Sequence, residues 1–109
     1  MEDTIKKIKD LVNEIVQADS PHRIADLQLE LRGWQTWLGA EKIKAMMSYN
    51  RELNSARVEF NLSAAVATIQ VQAGEVYEKY ATIKQLYDDV RSAASAAKTK
   101  LKVLEDEKY

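Results

Sequence analysis

The sequence predicts an all-α fold: short N-terminal helices followed by a long antiparallel helical hairpin with coiled-coil character. Three observations carry this. Three Gly and one Pro in 109 residues are too few turn-formers for a many-stranded β protein. A composition 46% hydrophobic and 30% charged belongs to a globular or coiled-coil chain rather than a disordered or membrane-embedded one. Apolar residues also recur at alternating spacings of three and four along most of the sequence, the period of a helix with one buried face. A single domain over 1–109 is expected, with helices near 4–18, 21–38, 40–60 and 63–107.

The first helix is capped by Asp3 or Thr4 and carries Ile5, Ile8, Val12 and Ile15, widened by Leu11 and Val16. Asp19-Ser20-Pro21 ends it and starts the next. Ser20 suits an N-cap, and Pro21 suits the first helical position, where its missing N–H costs nothing. The second helix presents Ile24, Leu27, Leu31, Trp34 and Leu38. Gly33 weakens it by roughly 1 kcal/mol relative to Ala, and Gly39 is the natural stop.

A third seam, Met46, Tyr49, Leu53, Ala56 and Phe60, restarts out of step at Leu62. Asn61 and Ser63 compete with helix by bonding their own backbone, so a tight turn is expected over Asn61–Ser63, with a continuous helix on a shifted stripe as the competitor. From Leu62 the series Val66, Ile69, Ala73, Val76, Tyr80, Ile83, Tyr87, Val90, Ala94, Ala97, Leu101 and Leu104 keeps a strict alternation of four and three, for about six heptads. Unbroken, such a helix would be a rod of ~65–70 Å, too long for the rest of the chain to cover unless the preceding helix runs back along it. Gly74 is the one place where it can bend or break. The uncovered part of the seam, centred on Val76, Tyr80, Ile83, Tyr87 and Val90, predicts a homo-oligomer, most simply a dimer.

Chemistry is sparse. With no cysteine there is no disulfide, thiolate metal site or cysteine nucleophile, and the one histidine, His22, reads as a surface residue of a first helical turn. The carboxylate runs Asp88-Asp89 and Glu105-Asp106-Glu107 place neighbours on different helix faces, which is solvated surface charge rather than a paired acid and base. No phosphate-binding Gly-rich loop and no serine-elbow motif is present. No enzyme, cofactor or metal is expected.

Trp34 and Trp37 lie at i and i+3 beside Arg32, in the pattern of a binding hot spot. Trp34 falls on the Leu31/Leu38 seam and reads as core, Trp37 off it. Lys84, Arg91 and Lys98 recur every seven residues and, with Lys100 and Lys102, form a basic set; Val90 to Val103 contains no acid. Such positions ordinarily flank a coiled-coil seam, and the sharper reading is contact with nucleic acid or an acidic partner. The net charge of −1 disfavours a general polyanion binder. The uncharged stretch Phe60 to Gly74 is too short and too polar to span a bilayer, and the N-terminus lacks a signal-peptide apolar core, so a cytoplasmic location is expected.

As a set, Asp10-Leu11-Val12-Asn13-Glu14 with Ala18-Asp19-Ser20-Pro21, Leu31-Arg32-Gly33-Trp34 to Leu38-Gly39, Ser48-Tyr49-Asn50, Lys100-Leu101-Lys102 and Leu104-Glu105 resembles small all-helical accessory proteins of phages and prophages. The resemblance implies a cytoplasmic, non-enzymatic adaptor or inhibitor, for example of a host defence system, or a nucleic-acid-binding accessory of phage recombination or replication. It assigns no functional residue.

Overall fold

A computed structural model describes residues 2–106. The chain is all-helical, with no strand among the described residues: α1 (Glu2–Gln17), α2 (Pro21–Val58), α3 (Ala64–Gln72) and α4 (Glu75–Asp106). The expected end of the last helix at 107 lies outside the described residues. The helices expected over 21–38 and 40–60 are one, because Gly39 is flanked by Leu38, Ala40 and Glu41 with no proline, and a glycine in good helical context weakens a helix without ending it. Conversely, the helix expected over 63–107 is two.

The chain forms two compact units, one of the residues up to Leu38 and from Leu86 on, the other of Gly39–Gln85. In the first unit, Glu2 and Asp3 place carboxylates in the opening turn of α1, where the helix dipole favours them. α1 buries Ile8, Leu11 and Ile15; the first half of α2 buries Ile24, Leu27, Leu31 and Leu38; and α4 adds Leu86, Val90, Ala93, Ala94 and Ala97. The alanines bury little area each, so their contribution comes from close packing. Gln28 Nε2 donates to the Ala94 carbonyl at 3.4 Å. Arg23 Nε donates to Glu14 Oε1 at 3.0 Å, and this bond and the carboxylate's charge hold the guanidinium pKa above its ordinary value. The Lys100 ammonium donates to the Ala18 carbonyl just past the end of α1, a cation placed where the helix's last carbonyls need donors.

In the second unit, α2 ends where Asn61 takes φ 53°, a left-handed conformation that Asn tolerates better than most side chains. The Leu62 amide then bonds back to the Ala56 carbonyl at 3.4 Å. Ser63 Oγ caps α3 by accepting from the Val66 amide at 3.3 Å. Thus the reversal expected over Asn61–Ser63 is present. α3 buries Ala67 and Val71 beside Ala56 of α2, with Tyr49, Leu53 and Leu62 packed against them. Tyr49 also stacks on Tyr80 (centroids 5.6 Å, 4° between planes), tilts against Tyr77 at 5.3 Å, and accepts a bond from Gln72 Nε2 at 3.2 Å.

The break between α3 and α4 falls at Gly74, whose amide bonds the Val71 carbonyl at 3.0 Å. A Cβ there would stand 3.3 Å from that same oxygen, so the bare Cα lets the chain close over the last turn of α3.

Candidate interaction surface

The structure distributes the sequence-derived candidates differently from the expectation. Of the seam nominated for a second subunit, Ile83 is 2% and Val90 0% exposed, so both are already covered within the chain. Val76, Tyr80 and Tyr87 are half-buried, and Tyr80 is occupied by its stack on Tyr49. Ile83 and Val90 are thus enclosed by their own chain, while Val76, Tyr80 and Tyr87 keep part of their surface exposed.

The basic set is also divided. Lys84 belongs to the second unit, and Arg91, Lys98, Lys100 and Lys102 to the first. Lys100 is committed to the Ala18 carbonyl, which leaves Arg91, Lys98 and Lys102 exposed on α4 at spacings of seven and four, one side of the helix.

Trp34 and Trp37 do come together, edge to face with centroids 5.7 Å apart, and Lys7 of α1 places its ammonium 5.7 Å from the Trp34 ring. Both indoles are half-buried, so Trp34 is not the core residue its seam position suggested. Trp37→Ala is therefore expected to cost about 1–2 kcal/mol through lost area and the lost ring pair, below the ~3–5 kcal/mol of a core aromatic. A denaturant midpoint measured at constant slope reads this directly.

The feature that sequence reasoning missed is on the second unit. Val58 (72% exposed), Phe60 (68%), Val66 (49%) and Ile69 (72%) are large apolar side chains facing solvent around α3. On α2 of the same unit, Ile43, Met46 and Met47 are exposed at i, i+3 and i+4. Met46 and Phe60, expected in a seam, are thus surface residues: Phe60 lies beyond the last residue of α2, where the helical period no longer directs it. The signal was available in the charge-free run from Phe60 to Gly74, whose apolar residues the heptad pattern assigned to the seams.

A shallow cleft of this unit, lined by Glu41, Lys44, Ala45, Ser48, Val76 and Lys79, has Lys44 paired with Glu41 at 3.4 Å. Among the described residues no group of three or more His, Asp or Glu is arranged to hold a metal, and no helix is long and apolar enough to cross a membrane. No family model, curated protein or solved structure matches the chain.

Proposed function

We propose that this protein is a non-enzymatic protein-interaction module, an adaptor or inhibitor working in the cytoplasm like the phage and prophage accessory proteins it resembles, and docking through a helical face. The observation that supports the reading is the exposed apolar surface around α3. Covering apolar surface is worth roughly 25 cal/mol per Å², and a contiguous exposed patch beyond a few hundred Å² marks an interaction site. In this reading α2 and α4 are the arms of an antiparallel hairpin, and α3 at its turn is the docking element.

The test is capture from the native cell with tagged wild type and Ile69→Lys. A stoichiometric protein retained by the wild type and lost by a variant with an unchanged melting curve is the expected result. Equal capture by both would remove α3 from the function.

A nucleic-acid accessory is the second reading, favoured by the exposed Arg91, Lys98 and Lys102 in an acid-free run. It requires single-stranded DNA binding whose log–log salt slope falls when those three are changed to Gln. Absence of salt-dependent binding would end it.

A further inference from the structure

We propose that the outward face of the second half of α2 docks an acidic amphipathic helix of another protein, on a surface separate from α3 and additional to the interaction reading above. Ile43, Met47, Asn50 and Asn54 step along α2 by four, three and four, so they form one line on the helix. Met46 and Arg57 flank that line on one side and Arg51 on the other, and all of them are exposed. Ala45, Glu52 and Ala56 lie on the opposite side, where both alanines are buried. The line is therefore the solvent face of the helix, continuous for ~20 Å at a rise of ~1.5 Å per residue.

A solvent-facing helix ordinarily interleaves both signs of charge at spacings of three and four. This one does not. Arg51 has Met47, Ser48, Asn54 and Ser55 at those spacings within α2, and Arg57 has Leu53 and Asn54. Neither arginine makes an ion pair among the described residues. The acids of the stretch are turned to the packed side instead. Half-buried Glu41 pairs with Lys44 at 3.4 Å, and half-buried Glu52 holds a carboxylate oxygen 3.8 Å from where a Cβ on Gly74 would stand. The face left outside is apolar at one end, amide in the middle and cationic toward the other end.

That order of chemistries selects the occupant. A partner helix meets Ile43, Met46 and Met47 with apolar residues, and Arg51 and Arg57 with carboxylates. Asn50 and Asn54, once covered, need hydrogen-bonding partners, which fixes register as a polar seam residue does in a coiled coil. A second copy brings arginines and no acid to this face, so it is disfavoured. Two arginines over ~20 Å are few against the charge density of nucleic acid, and the apolar end would find no cover there. A bilayer would have to desolvate the central amides.

The test titrates the intact chain into two labelled synthetic helices of about three heptads, read by fluorescence anisotropy. Both carry Leu along the seam with one central Asn; one is flanked by Glu and its twin by Lys. The Glu peptide should bind at least ~tenfold more tightly than the twin, and less tightly as salt is raised. Arg51→Glu with Arg57→Glu should invert the preference, and Arg51→Gln with Arg57→Gln should remove it, both with unchanged melting curves. Arg91→Glu with Lys98→Glu, on α4 of the first unit, should leave the preference intact.

No binding of the Glu peptide up to near-millimolar concentration overturns the proposal, as do equal binding of the twins and a preference indifferent to Arg51 and Arg57. Binding lost with Ile69→Lys but kept with Arg51→Glu and Arg57→Glu moves the peptide to α3, which sinks this face and leaves the interaction reading standing. Failure of α3-dependent capture beside an intact preference for the Glu peptide does the reverse. A single-stranded oligonucleotide held more tightly through the same arginines overturns the proposal in favour of nucleic acid, and flotation with phosphatidylserine vesicles overturns it in favour of a membrane.

Discussion

Leu31→Ala is expected to cost about 3–5 kcal/mol, the upper part of the range for truncating a buried leucine. Leu31 is fully buried in the first unit, where α4 contributes Ala93, Ala94 and Ala97 to the same core. Alanines have no side-chain freedom with which to refill a cavity, so the void left by the lost atoms persists and its lining loses dispersion contacts outright. A loss of this size is a large share of the ~5–15 kcal/mol available to a small domain, and the variant should be extensively unfolded at temperatures the wild type tolerates. Leu29→Ala removes the same atoms two residues away on the exposed side of α2 and should stay within ~0.5 kcal/mol of wild type. Urea denaturation of the pair measures the difference. Equal losses would mean that α2 does not bury the face described for it.

Ile83→Lys is expected to be at least as damaging, in the second unit. The site is buried and no buried polar or charged residue occurs among the described residues, so an introduced ammonium has no buried partner. Burying an uncompensated charge costs about 3–5 kcal/mol beyond the lost packing, whereas Ile83→Val should cost only about 0.5–1.5 kcal/mol. The pH dependence has a definite sign. Burial depresses the folded-state pKa of the introduced lysine, so the unfolded state holds more protons, and stability must recover as pH rises toward ~10.4, the ordinary lysine value. Melting curves taken from neutral to alkaline pH check this, against a wild type without that buried group. A destabilisation that does not change with pH would mean the side chain reaches solvent and that position 83 is less enclosed than Ile83 is.

Periodicity made most of the interior legible. Ile8, Leu11 and Ile15, then Ile24, Leu27, Leu31 and Leu38, and Ile83, Val90, Ala94 and Ala97 were all assigned to seams and are all buried. Spacing fixes which residues share a face, and a face repeated over several turns has to be covered. What it does not specify is which covering element is present. Val66 and Ile69 continue the same four-three series as Ile83 and Val90, yet the former are exposed and the latter enclosed. The difference lies in tertiary contacts absent from any local pattern.

Glycine was ambiguous for a related reason. Gly39 runs on within α2, while Gly74 separates two helices, and neither has a positive φ that would have demanded glycine. The distinguishing fact is that a Cβ at Gly74 would stand 3.3 Å from the Val71 carbonyl oxygen, a crowding that arises once the last turn of α3 has closed. The apolar face of α3 escaped notice because its short helix was read as part of a long one. Within a six-heptad rod its residues were seam members like the rest, and only the break at Gly74 makes them a separate surface.

The aromatic residues divide between the units in a way that makes the chain its own spectroscopic double label. Both tryptophans, Trp34 and Trp37, lie in the first unit, while the stacked Tyr49, Tyr77 and Tyr80 lie in the second. Indole emission thus follows the first unit, and the part of the near-ultraviolet dichroism that a Tyr49→Phe change removes follows the second, the indoles and Tyr87 of the first unit supplying the remainder. Superimposable transitions in the two signals would identify one cooperative unfolding event, and separated midpoints would assign each unit its own stability. Every variant described above can be located by the same pair of signals, since Leu31→Ala acts on the indole signal first and Ile83→Lys on the tyrosine signal first.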